Sequence, residues 1–114
     1  FKNKAEVFVP RFAEARERPL AFASAWLAQR PVYLGEYAGV AFVIMSDASG
    51  AHRLYRRRPG QELRLSEGAL MDESGRRWVE REQGLEAEGQ EPLERLPATA
   101  TLGLAGALRI RIRR

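Results

Sequence analysis

One short phrase occurs twice in this chain. Asp47-Ala48-Ser49-Gly50 and Asp72-Glu73-Ser74-Gly75 both read D-x-S-G, 25 residues apart. Each follows an apolar run, Val40 to Met45 in one case and Ala69 to Met71 in the other. Each leads into basic and aromatic residues, His52-Arg53-Leu54-Tyr55 and Arg76-Arg77-Trp78. Asp can close an Asx-turn on the amides that follow it, and Gly accepts a positive φ, so both phrases predict tight hairpin turns. Two hairpins in the middle of a 114-residue chain leave little room for anything but a β-rich domain.

The strands on either side support this. Val40 to Met45 is a continuous apolar run of strand length, which predicts a central strand buried on both faces. Glu62-Leu63-Arg64-Leu65 alternates with period two, and Ala51 to Arg57 returns from the first turn as a strand. Val7-Phe8-Val9 and Val32-Tyr33-Leu34 are further short candidates, the latter followed by a turn over residues 35–39. Residues 80–89 read as loop or edge, and Leu93 and Leu96 flank a small turn. Thr99 to Leu104 is compatible with strand. Leu108-Arg109-Ile110-Arg111-Ile112-Arg113 alternates perfectly, with Leu108, Ile110 and Ile112 as its apolar face. Pro19 followed by an alanine-rich stretch to Gln29 predicts one short helix, with Phe22 and Trp26 on one side of it. The residues therefore describe a single mainly β domain over residues 1–114. The expected form is a small antiparallel barrel or sandwich built from hairpins, with one short helix near residues 19–29.

A domain of this size buries about two-thirds of its unfolded surface and needs no staple. The chain has no cysteine, which excludes disulfides and thiolate metal sites. Its net charge of +4 comes from arginine, with 17 Arg against 2 Lys. That bias reads as thermophile-like composition rather than as a partner signal. No run of 18 apolar residues exists, so no transmembrane segment is read. Neither a signal peptide nor an anchor is seen, and an upstream one removed before Phe1 is compatible with this start.

The order of motifs carries a resemblance. Arg18-Pro19-Leu20 comes first, then Gly39-Val40-Ala41-Phe42-Val43-Ile44, then Ser49-Gly50-Ala51-His52-Arg53-Leu54-Tyr55. Gly68 to Trp78 follows, with its D-x-S-G-x-x-W block, then Gly84, Gly89 and Leu93-Glu94-Arg95-Leu96-Pro97-Ala98. Over residues 18–98 this resembles the bacterial and archaeal family called domain of unknown function 3179. Members of that family read approximately R-A-Y-P-L, G-x-P-V-V-V, Y-C-P-L-x-G, D-R-E-T-G-S-x-W, G-x-x-x-x-G and L-x-x-L-P. The resemblance implies an extracytoplasmic setting but transfers no activity. Many members carry W-H-E after the first motif and Cys in the C-P-L-x-G loop. This chain has Trp26-Leu27-Ala28-Gln29 and Ser46-Asp47-Ala48-Ser49-Gly50 there, so any metal or redox work of those residues is lost. The segment Thr101 to Gly106 and the basic strand 108–113 also depart from the family.

Four side-chain groups bear on chemistry. His52 is the only histidine, which is too few for a zinc site without Cys or well-placed carboxylates. It can serve as a general base beside Asp47 or Asp72, and these three are the catalytic candidates. Ser49 and Ser74 follow acidic residues but lack the strained G-x-S-x-G elbow of a nucleophile. Asp47, Glu67, Asp72 and Glu73 would suit a hard cation only if the two hairpins met, and no EF-hand spacing is present. Arg56-Arg57-Arg58 and the C-terminal arginines lack the aromatic interleaving that nucleic acid requires, so nucleic acid is disfavoured. Ser46, Ser49, Arg77 and Trp78 are the binding candidates. No metal ligand set and no cofactor is expected.

The expected function is a non-catalytic binding or assembly domain of an exported protein or complex, with a protein as the kind of partner. The alternative is a hydrolase or metal-dependent enzyme using Asp47, His52 and Asp72. Convergence of those three side chains in one pocket would favour the second reading, and their placement on opposite faces would favour the first.

Overall fold

The computed structural model describes residues 6–15, 19–102 and 111–113. The strands are β1 (Glu6–Pro10), β2 (Leu20–Ala23), β3 (Val32–Tyr37), β4 (Val40–Ser46), β5 (His52–Arg56), β6 (Leu63–Ser66), β7 (Ala69–Asp72), β8 (Arg77–Arg81), β9 (Gly84–Glu86), β10 (Leu93–Glu94), β11 (Ala98–Leu102) and β12 (Arg111–Arg113). One short helix, α1 (Ser24–Ala28), and a 3₁₀ turn at Ala13–Ala15 complete the described residues. The domain is mainly β.

Three sheets form. The order β11-β1-β2-β12 makes the first, with β12 running parallel to β2 and the other pairs antiparallel. The antiparallel meander β3-β4-β5 makes the second, and β10-β9-β8-β7-β6 the third.

The middle sheet is the partition of the domain. Along β4, residues 40–45 are all buried, as the uninterrupted apolar run predicts. Alternate side chains go to opposite sides, because successive residues of a strand point to opposite faces. Val40, Phe42 and Ile44 join Phe8, Phe12, Phe22, Leu27 and Leu54 in a first core against the β1–β2 sheet. Val43 and Met45 join Tyr55, Leu63, Leu70, Trp78, Leu85 and Leu93 in a second core. Phe42 sits in the densest aromatic cluster, with Phe12, Phe22 and Tyr33 rings 6.1–6.4 Å away. Its ring lies over Gly35, its partner across the β3–β4 ladder. A Cβ at Gly35 would stand 2.5 Å from the Phe42 ring. Glycine there is a packing requirement.

The second core takes side chains from the seven strands β4 to β10 in turn, with Val32 and Leu34 of β3 packed against it, the arrangement of a barrel interior. The barrel does not close. β5 meets the chain just past β10 through one bridge, Tyr55 opposite Arg95, and Leu96 N donates to Leu54 O at 2.9 Å. At the other seam β3 lies beside β6 with no ladder between them. The Arg57 guanidinium holds that seam. It donates to Phe42 O at 2.8 Å, to Gly35 O at 3.0 Å and to Gln61 O, just before β6, at 2.8 Å.

Several local expectations are adjusted. Leu20 to Ala23 pairs with β1 as a strand, so the helix is confined to Ser24–Ala28. Helix propensity is a fraction of a kcal/mol per residue, and a buried ladder position outweighs it: Leu20, Ala21 and Phe22 are nearly inaccessible. β3 runs on through Gly35 to Tyr37, and the turn shrinks to Ala38-Gly39, both at positive φ. Within the stretch read as loop or edge, β8 continues to Arg81 and residues 84–86 form β9. Gly84 is required there, since a Cβ would meet Leu93 O at 2.2 Å. Residues 103–110, including the expected face of Leu108 and Ile110, lie outside the described residues.

Candidate functional site

The two D-x-S-G phrases build the same object. In the first, Gly50 N donates to Asp47 O and Asp47 N to Ala51 O, both at 3.1 Å. In the second, Gly75 N donates to Asp72 O at 3.0 Å and Asp72 N to Arg76 O at 2.9 Å. Gly50 and Gly75 take φ of 91° and 80°. This is the three-residue hairpin loop with a glycine bulge. In each loop the Asp Oδ1 accepts two amides: Ser49 and Ala51 at 2.9 and 3.2 Å, or Ser74 and Arg76 at 2.9 Å each. The equivalence extends to the sixth residue onward. Arg53 donates to Asp47 Oδ2 at 3.0 Å, and Trp78 to Asp72 Oδ2 at 3.0 Å.

The copies differ in depth. Asp72 is buried, and the Arg76 guanidinium also reaches its Oδ2 at 3.0 Å. Burial opposes its ionisation, but the Trp78 N–H, the two amides and the Arg76 charge outweigh that and hold the carboxyl below its usual range. Asp47 is open to solvent. The Ser49 hydroxyl, then Arg53, hold it well below the usual carboxylate range.

Arg53 carries the first loop into the second core. Its guanidinium forks onto Glu80 of β8, Nε to Oε2 at 2.6 Å and NH2 to Oε1 at 3.0 Å, while NH1 keeps Asp47. Glu80 Oε2 also accepts the Tyr55 hydroxyl at 2.8 Å. Tyr55 is pushed up to about 12 by burial, helped by its bond to Glu80. Burial works against the Glu80 anion, yet Arg53 and Tyr55 keep it below its ordinary value.

This chain of polar groups borders a groove of about 300 Å³ at the open end of the second core. Met45, Leu70 and Trp78 contribute its apolar surface, and Ser46, Asp47, Arg53, Arg77 and Glu80 its polar lining. Leu65, also at the groove, is 43% exposed and is the one exposed large hydrophobic among the described residues. Arg77 is exposed and forms no ion pair among the described residues. Mouths of β-barrels are a common place for ligand sites.

Of the binding candidates, Ser46, Arg77 and Trp78 line this groove, and Ser49 caps the adjoining turn. The catalytic candidates are distributed differently. Along the first hairpin, Leu54 belongs to the first core and Tyr55 to the second, so His52 shares the face of Leu54 and Arg53 that of Tyr55. His52 sits edge-on to Phe8 with centroids 5.4 Å apart, on the first-core side. Asp47 turns the other way, to Arg53. Asp72 is occupied inside its own loop. No hydrogen bond links any two of Asp47, His52 and Asp72. The bond His52 does make is to Ser46, its cross-strand partner, with Oγ 2.7 Å from Nδ1. Burial lowers the pKa of His52 against the opposing fields of Glu6 and Asp47, which favours the neutral ring.

Among the described residues no group of three or more His, Asp or Glu is placed to hold a metal ion. No described helix is long and apolar enough to cross a membrane. Sequence reasoning missed Arg53, Tyr55, Glu80 and Leu65. The shared six-residue spacing from Asp47 to Arg53 and from Asp72 to Trp78 is the signal that could have found the first. Glu80 carries no such signal, because its partners stand 25 and 27 residues away. Searches of protein-family models, curated proteins and solved structures give no match to this chain.

Proposed function

We propose that this domain is a non-catalytic binding module whose ligand site is the groove at the open end of the second core. The observation that carries this reading is the use made of the carboxylates. Asp47 and Asp72 each accept four hydrogen bonds from their own loop and hairpin. A carboxylate so engaged is a poor general base, because its lone pairs are taken and its proton affinity is low. The groove keeps its polar rim fixed by the Arg53–Glu80 fork and leaves Arg77, Leu65 and the Trp78 edge for contact. An apolar anchor with a few placed polar groups suits a segment of a protein partner. The family resemblance supports an exported protein or complex as the setting.

The test is selection of binders from a random peptide display library. Binding to the wild-type domain and its loss in Leu65→Lys and Arg77→Glu, both exposed positions, is the expected result. Peptides that bind those variants equally well would place the contact elsewhere. The short Ser46–His52 contact favours a second reading, a hydrolase with Ser46 as nucleophile and His52 as base. Ester hydrolysis, or labelling of Ser46 by a fluorophosphonate, that disappears in His52→Gln would establish it and overturn the first.

A further inference from the structure

We propose that the groove takes an extended segment of its partner as an added strand on β6, and that this segment alternates apolar and acidic residues. Such binding rests on the groove reading above and gives that site a partner chemistry. β6 ends the third sheet, pairing with β7 on one side and with no strand on the other among the described residues. An open strand edge is a template for a further strand.

Hydrogen-bond parity identifies the groups that edge offers. Asp72 N donates to Arg76 O at 2.9 Å, so Asp72 and Leu70 bond toward β8, and Met71 and Ala69 toward β6. Their cross-strand partners, Arg64 and Ser66, are thereby committed to β7. Leu65, between them, turns its N–H and C=O away from β7 to the open edge. It is also 43% exposed. Across the seam, no backbone hydrogen bond joins it to β3 among the described residues. Arg57 pins the far end of that seam, at Gly35 and Gln61. At the near end Pro31 lines the groove with Leu65. Pro31 has no N–H to give, and its carbonyl already accepts the Ser46 amide at 3.0 Å.

A strand added at this edge is constrained in sequence. Its residue opposite Leu65 shares the face of Leu65, Leu70 and Trp78, and so enters the groove. The residues on either side of it point to the outer face of the sheet, beside Arg64. Arg64, Met71 and Arg77 form one row across β6, β7 and β8 on that face. Both arginines are exposed and make no ion pair among the described residues. An apolar residue flanked by carboxylates therefore complements the groove and the charge of this row together.

The test follows the backbone amides by NMR while the chain is titrated with a capped heptapeptide of alternating glutamate and valine. One control peptide carries lysine for glutamate. The other is N-methylated at every valine, which removes the donors that the paired edge of a strand needs. The expected result is a saturable shift of the Leu65 amide, its exchange slowed about tenfold or more, with neither control reproducing it. Arg64→Glu should weaken binding about tenfold. Arg64 is exposed, so the variant's thermal midpoint should match wild type, which separates lost binding from lost folding. Binding of the N-methylated peptide as tightly as its parent, with loss in Leu65→Lys, would overturn strand addition while sustaining the groove as the site. No saturable shift with the parent peptide, equal binding of the lysine peptide, unchanged affinity in Arg64→Glu, or Leu65 exchange that slows with protein concentration alone would each overturn the proposal. The display selection decides the groove reading separately.

Discussion

The Trp78 indole N–H donates to the Asp72 carboxylate at 3.0 Å, with both residues no more than 2% exposed. This bond joins a surface turn to the second core. The turn places the carboxylate, and the carboxylate satisfies the one polar atom of the largest side chain in that core. Removing the acceptor leaves a buried N–H and two amides without a partner. Asp72→Ala should therefore cost about 3 kcal/mol, read from denaturant unfolding followed by Trp fluorescence. Asp47→Ala, in the exposed copy, should cost less. Equal losses at the two positions would contradict the difference in burial.

Acid should destabilise the domain in two stages. His52 is lowered by burial, so the unfolded chain takes the proton first. Its contribution is intact above about pH 6.5 and is lost as the pH falls from there through the folded value. Asp47, Asp72 and Glu80 are also lowered. Their contributions are intact above the unfolded carboxylate values of about 4 and are lost as the pH falls through the folded ones. Thermal midpoints from pH 3 to 8 should show both slopes. His52→Gln should remove only the upper one. A wild-type midpoint that stays flat between pH 7 and 5 would argue against the first stage.

Glu80 ties Tyr55 to Arg53, and ultraviolet absorbance can read it. Tyr55 should ionise late, near 12. Burial is the larger cause and Glu80 the next. Glu80→Gln removes the second, so the late component should move toward the ordinary tyrosine value of about 10. An unchanged titration curve would mean that the hydroxyl does not rely on Glu80.

At the β3–β6 seam one guanidinium replaces a missing ladder. Arg57→Lys keeps the charge but loses the planar fork that reaches Phe42 O, Gly35 O and Gln61 O together. The expected loss is about 2 kcal/mol, with faster amide exchange in β6 than in β7. Exchange that rises uniformly through the domain would instead indicate that the seam does not open on its own.

The sequence by itself determined the local objects. Both D-x-S-G turns were legible because every bond in the loop lies within four residues of the Asp, and glycine alone tolerates the bulge φ. The double burial of β4 was legible because an uninterrupted apolar strand has no face to offer water. The tertiary structure decided what these parts meet. Leu20 to Ala23 became strand because pairing with β1 exceeds a small helical preference. Asp47 and His52 are five residues apart yet face opposite sides, since strand parity sends one toward the second core and the other toward Phe8. Arg53 finds Glu80, and Arg57 finds Gly35, across 27 and 22 residues of chain. Such partners depend on how three sheets stack, and the free energy that stacks them is spread over two cores rather than written in any neighbourhood of the chain.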